Sequence, residues 1–268
     1  MPNVPLTSAL RTEYERLFGT CVIRPEKAGA IDAIVGQLES SRSRYESVGN
    51  ALQIPWGFIA VVHNMESSQS FSKHLHNGDP LTARTKQVPK DRPKTGNPPF
   101  TWEQSARDAL TMKGLGAATD WTLAGTLYQL ERYNGWGYRL YHPDVLSPYL
   151  WSFSKHYVSG KYVADGTWSN SAVSKQCGAA AILRRMAEKN LFGFGDQPLP
   201  QPHSGPLVIR YSMAKYQDAT DLQRALDLQA WLNTYPGIFV KADGAPGQKT
   251  SDAYLAVTGH YLPGDPRL

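Results

Sequence analysis

Apolar positions recur along this chain mainly at helical spacing. From Pro25 to Asn50, Ile31, Ile34, Leu38 and Tyr45 fall on one face, which predicts a long helix with a charged outer side. Ile54 to Met65 is apolar almost throughout and Pro55 suits a first helical turn, so a buried helix is expected to end near Glu66. Thr101 and Gln104 form a capping-box pair ahead of Ala106, Ala109 and Leu110. Thr119 or Asp120 is expected to cap a helix through Arg132, and Ser147-Pro148 to open another. Ser171 to Lys189 reads as a long helix burying Val173, Cys177, Ala180, Ala181, Leu183 and Met186. Between Ser70 and Gly96 this period gives way to short polar and β-branched stretches broken by NGDP, VPKDRP and KTG. That is the pattern of a small β-hairpin region with loops.

The run FGFGDQPLPQPHSGP, from Phe192 to Pro206, removes helix and strand options and predicts a linker. The expected division is a domain over 1–192, a linker over 193–206 and a small domain over 207–268, in which Leu207 to Tyr211 precede a helical run from Ala219 to Thr234. The fold class expected is α+β and mainly helical.

With 268 residues, 41% hydrophobic and 19% charged, the chain has enough apolar content for a sizeable core. A net charge of +5 favours an anionic partner. No tract of five or six Lys or Arg and no zinc-finger spacing is present, so nucleic acid is not the expected partner. No apolar run has the length of a membrane span, and Met1 to Arg11 lack the charged and apolar segments of a secretory signal, so stable membrane insertion is not expected. Cys21 and Cys177 read as two buried thiols, with a single disulfide as the alternative.

The candidate chemistry centres on FIAVVHNMESSQSF. A carboxyl between an apolar helix and a polar stretch is partly desolvated, which raises its pKa and keeps a proton available for glycoside cleavage. Downstream, the run Tyr133-Asn134-Gly135-Trp136-Gly137-Tyr138 suits a saccharide site. Aromatic faces stack on sugar C–H surfaces, Asn both donates and accepts, and Gly lets backbone approach closely. Asp79 in HNGDPLT is the candidate second carboxylate, to orient water or stabilise positive charge, with Thr82 and Thr85 as alternatives. Asp91 and Asp120 rank no higher. His63, His74 and His76 lack a metal-binding spacing, and no Gly-x-Ser-x-Gly elbow occurs, so neither a metal nor nucleophilic serine is indicated and no cofactor is required. Arg84, Lys86, Lys90 and Arg92 form a scattered basic loop.

The helix followed by Met65-Glu66-Ser67-Ser68 resembles the catalytic motif of soluble lytic transglycosylases and goose-type lysozymes. Their downstream Tyr-Asn-x-Gly element is similar to YNGWGY here, although Arg132 replaces the usual small residue and Gly135 follows Asn134 directly. The tail also resembles a short helical peptidoglycan-binding domain, through Leu222-Gln223-Arg224-Ala225-Leu226, Leu232-Asn233, Asp243-Gly244, Gly247, Thr250 and Ala253. These resemblances imply a lysozyme-like catalytic domain with a small β-lobe and a three-helix wall-binding unit whose last helix Thr250 caps. They also imply a glycoside hydrolase of muramidase type. Glu66 would be the general acid, Asp79 or Thr85 would assist, and Ser67, Tyr133, Asn134, Gly135 and Tyr138 would contact sugar. A lytic transglycosylase without a second carboxylate, a chitinase or chitosanase, and a non-catalytic wall-binding protein remain open. The expected partner is peptidoglycan or a related aminosugar polymer, met by a monomer at the cell wall after secretion or release through a phage-type pore. The linker would let the catalytic cleft sample strands near the docked module.

Overall fold

A computed structural model describes residues 4–164, 166–189, 191–194 and 209–268. It is mainly helical, with one two-stranded sheet among the described residues. In chain order the helices are α1 (Ser8–Gly19), α2 (Ala28–Ser40), α3 (Arg42–Leu52), α4 (Trp56–Ser67), α5 (Trp102–Met112), α6 (Leu123–Asn134), α7 (Gly137–Tyr141), α8 (Pro148–Trp151), α9 (Ala179–Glu188), α10 (Ala219–Leu232) and α11 (Gln248–Thr258). A hairpin of β1 (Lys161–Ala164) and β2 (Thr167–Ser169) pairs antiparallel, with Tyr162 opposite Trp168.

Helix α4 is the axis of the larger core. Every side chain from Gly57 to Met65 is buried, as an all-round apolar helix requires. Phe58, Ile59, Val61 and Val62 are fully covered, each worth about 1.5–3 kcal/mol of burial. Helices α2, α3, α6 and α9 pack around it.

Several elements differ from the sequence expectation. The first long helix is a 3-10 turn at Pro25–Lys27 followed by α2 and α3, broken at Ser41. The Ser40 hydroxyl donates to the Gln37 carbonyl at 2.8 Å, a local bond that competes with the helical ladder. Among the described residues no strand forms between Ser70 and Gly96; an isolated bridge joins Lys73 and Pro80 instead. Pro80, Pro89 and Pro93 withdraw ladder donors, and side chains tie the loop together in place of a sheet. Thr122, not Thr119 or Asp120, caps α6 by accepting from the Gly125 N–H at 3.0 Å. Helix α9 begins only at Ala179: Gly178 is its N-cap in extended backbone, packed so close to the Leu150 carbonyl of α8 that a Cβ would not fit. The capping box on α5 and the start of α8 after Ser147 are as expected.

A second, smaller core gathers Ala225, Leu228 and Leu232 of α10 with Tyr254 and Val257 of α11, Ile209, Ile238, Val240 and Leu262. Among the described residues two helices build it, where three were expected. Thr250 does not cap α11: Gly247 holds that position, and Thr250 is buried. The predicted linker lies outside the described residues from position 195 to 206, as do residues 207 and 208 of the predicted Leu207–Tyr211 stretch. Phe194, placed in the linker by sequence, is buried in the larger core and meets Phe18 edge-on at 5.3 Å.

The turn between α10 and α11 is organised by one amide. Buried Gln229 accepts from the Asp243 and Gly244 N–H groups at 3.0 and 2.9 Å and donates to Asp243 Oδ1 and the Ala245 carbonyl. Gly244 is needed there, since its φ is +78° and a Cβ would strike Leu222. Gln229→Ala is expected to cost about 2 kcal/mol by stranding these donors, read as a lower denaturant midpoint at unchanged slope.

The two cores are joined by more than the chain between them. Phe239 packs edge-on against Phe18 of α1 at 5.2 Å. Buried Arg184 of α9 donates to the Phe18 and Gly19 carbonyls at the end of α1 and to the Val240 carbonyl beside the small core, at 3.0, 3.1 and 2.9 Å. The small unit therefore also contacts α1 and α9 through these residues.

Candidate active site

The end of α4 is shaped to present one carboxyl. Ser68 and Gln69 both take positive φ, 50° and 63°, so the helix stops abruptly and the chain turns back. The buried Gln69 amide donates to Asn64 Oδ1 at 3.0 Å, and Gln176 donates to the Met65 carbonyl at 2.8 Å, pinning the last turn from two sides. The 74–79 loop closes over it: a Cβ on Gly78, whose φ is +79°, would lie 3.3 Å from the Glu66 carbonyl. Glu66 is left half-buried, neither sealed in the core nor free in solvent.

The Tyr149 hydroxyl, at the start of α8, donates to Glu66 Oε1 at 3.2 Å. Burial pushes the Glu66 pKa up, and the Tyr149 hydrogen bond and the Lys113 ammonium only partly oppose it. The negative end of the α4 dipole also disfavours a second negative charge here. Burial, reinforced by Glu66, pushes the Tyr133 and Tyr149 phenols up, so both remain protonated donors. Lys113, just past α5, is pushed down by burial and supported by Glu66; its ammonium lies 4.6 Å from the centre of the Tyr133 ring and donates weakly to the Tyr133 carbonyl at 3.5 Å. The result is a carboxyl whose burial favours the protonated form, flanked by two phenols and one ammonium.

The residues singled out by sequence divide into two groups. Tyr133 belongs with Glu66, and its hydroxyl reaches the Leu75 carbonyl at 3.4 Å. Asn134 is exposed at the end of α6, and Gly135 supplies the φ of 99° that ends that helix. Tyr138 turns toward the hairpin, where its hydroxyl accepts from the Tyr162 N–H and its ring meets Tyr162 and Trp168 edge-on. His142 stacks on Trp168 in the same cluster, with ring centres 3.4 Å apart. Ser67 is buried and returns its hydroxyl to the His63 carbonyl.

Asp79 and Thr85 are engaged in holding the loop. One oxygen of Asp79 accepts from the Lys86 and Gln87 N–H groups at 2.7 and 2.9 Å and from Asn77 at 3.1 Å, and these bonds hold its carboxyl below the usual range. Buried Thr85 donates to the Pro89 carbonyl and accepts from the Arg92 N–H. Thr82 is exposed. Arg84 donates to the Gly96 carbonyl, and Arg92 pairs with Asp108 at 3.0 Å. His74 and His76 bracket Ser105, with His76 also on Asp108 at 2.7 Å, while His63 meets the Tyr45 hydroxyl and burial lowers its pKa to about 4. Both cysteines are buried free thiols.

Sequence reasoning missed Tyr149 and Lys113. Ser147-Pro148 flagged the helix that carries Tyr149, but 83 positions separate it from Glu66 and no local pattern links them. Cavities of about 430 Å³, between α1 and residues 233–239, and about 520 Å³, between α9 and residues 243–250, lie away from Glu66. No protein-family model, curated protein or solved structure matches this chain, so the reading of the site rests on the side chains around Glu66.

Proposed function

We propose that the protein is a glycoside hydrolase that cleaves the β-1,4 aminosugar backbone of peptidoglycan, on a lysozyme-like catalytic domain carrying a small wall-binding unit. The observation that carries this reading is the half-buried Glu66 carboxyl, whose pKa burial raises at a helix end while it remains reachable from solvent. Glu66 delivers its proton to the glycosidic oxygen as the bond to the anomeric carbon breaks. Tyr149 holds the carboxyl in place through Oε1, leaving the other oxygen for the sugar. Tyr133 walls the same space. Chitin and chitosan share the backbone linkage and are the competing substrates; a wall-binding protein without turnover is the competing class.

The engagement of Asp79 and Thr85 within their loop favours a route with no second carboxylate. In that route a group of the substrate itself attacks the anomeric carbon. If the attacker is the sugar's own 6-hydroxyl, its proton passes to the Glu66 carboxylate and an anhydro end forms; if water follows instead, a reducing end forms. Mass spectrometry of digested wall separates the two, since the products differ by one water. A digest containing neither kind of new end would remove the enzyme reading. Asp79→Asn is expected to keep turnover within a few-fold and to lose about 1 kcal/mol of stability, measured by paired rate assays and thermal melts. A drop in turnover of a hundredfold or more without unfolding would return Asp79 to the catalytic pair.

A further inference from the structure

Lys113 has no direct ion pair or hydrogen bond to Glu66 among the described residues, yet it stands at the same space. Its ammonium has a weak bond to the Tyr133 carbonyl at 3.5 Å and the face of the Tyr133 ring at 4.6 Å, which leaves donor capacity unused on a half-buried group. A lysine has three donors and no acceptor, and desolvating an ammonium without a full complement of acceptors is costly. The neighbouring fixed geometry does not satisfy it: the Tyr133 hydroxyl is turned to the Leu75 carbonyl and the Tyr149 hydroxyl to Glu66. The charged groups that act on Lys113 are Glu66, whose Oε1 accepts from Tyr149, and the like-charged Arg132.

We infer that Lys113 receives an anionic or strongly polarised carbonyl substituent of the sugar bound next to Glu66, and so selects an acidic wall glycan over neutral chitin and cationic chitosan. This deepens the hydrolase reading and rests on it. The substituent that fits is a lactyl ether on the aminosugar: a free carboxylate on a peptide-free strand, an amide carbonyl on a strand that carries peptides. Either accepts from Lys113 while the glycosidic oxygen faces Glu66. A positive charge placed there also repels the ammonium groups of a deacetylated polymer.

Lys113→Gln and Lys113→Arg are to be compared with the wild type on three purified probes: peptidoglycan, peptide-free glycan strands and chitohexaose. For Lys113→Gln, KM on peptide-free strands is expected to rise about tenfold or more beyond any change on chitohexaose, with peptidoglycan affected less than the peptide-free strands. Lys113→Arg is expected to restore most of the loss, because it keeps the charge. An equal change of KM on all three probes would mean that Lys113 acts only by tuning Glu66, and would overturn the inference. Wild-type protein that turns over none of the probes would instead remove the hydrolase reading on which the inference stands. Thermal melts of both variants establish that any loss is not one of folding.

Discussion

Glu66→Gln is expected to lower turnover of purified wall by about 10²–10⁴-fold, the usual contribution of a positioned general acid, while co-sedimentation with the wall is retained. The amide keeps the size of the side chain and can still accept from Tyr149, so the site should remain assembled. What it lacks is a transferable proton. The wild-type rate should fall as pH rises through the elevated Glu66 pKa, because the protonated form is the active one. Near-wild-type turnover in the variant would end the assignment of Glu66. A wild-type protein that sediments with walls but never turns them over would identify a binder.

The same substitution has a stability signature with a definite sign. Burial raises the Glu66 pKa above its ordinary 4.5, so across the interval between 4.5 and the elevated value the folded state holds more protons than the unfolded chain. Stability contributed at this position is full below 4.5 and is lost as pH rises through the folded pKa. The amide that Glu66→Gln introduces does not titrate, so the variant should gain on the wild type through that interval and lie above it at neutral pH. Chemical denaturation at several pH values measures the difference. A wild type that stays the more stable of the two at neutral pH would show that the carboxylate is stabilised where it sits, which an acid donor must not be.

What could be read from the sequence follows from how far each determinant reaches along the chain. The apolar run before Glu66, the capping box at Thr101 and Gln104 and the turn at Asp243-Gly244 are local, and each takes its expected form. Failures arose where a distant partner decides. Gly178 sits inside a helix-like stretch of sequence, but in the fold it is the extended N-cap of α9 packed against Leu150. The loop from Ser70 to Gly96 has strand-like composition, but its donors are claimed by Asp79 and Thr85, so no ladder forms among the described residues there. The site shows the same division: Glu66 was legible from its own helix, whereas Tyr149 and Lys113 come to it through α8 and α5 and carry no mark of that in their own segments.

Arg184→Met is expected to give the largest loss of stability, because the guanidinium joins three stretches that share no local sequence. It is only 1% exposed, pairs with Glu188 at 3.0 Å, and supplies donors to the two carbonyls that end α1 and to Val240 beside the small core. Met fills the aliphatic part of the space but leaves the Phe18 and Gly19 carbonyls without this partner and Glu188 with Arg185 alone. Breaking one side of a buried pair in this way costs about 3–5 kcal/mol. At about 2–4 °C per kcal/mol for a chain of this size, the melting temperature should fall by roughly 10 °C. Because the lost bonds include one of the contacts between the two cores, calorimetry should also show the transition broaden or divide as the small unit loosens from α1. Removing the stranded charge as well, in Arg184→Met with Glu188→Leu, should recover part of the loss, since an apolar pair avoids the desolvation cost. A single Arg184→Met variant that melts within about 2 °C of the wild type, in one transition, would mean that the docking of the two units does not depend on this guanidinium.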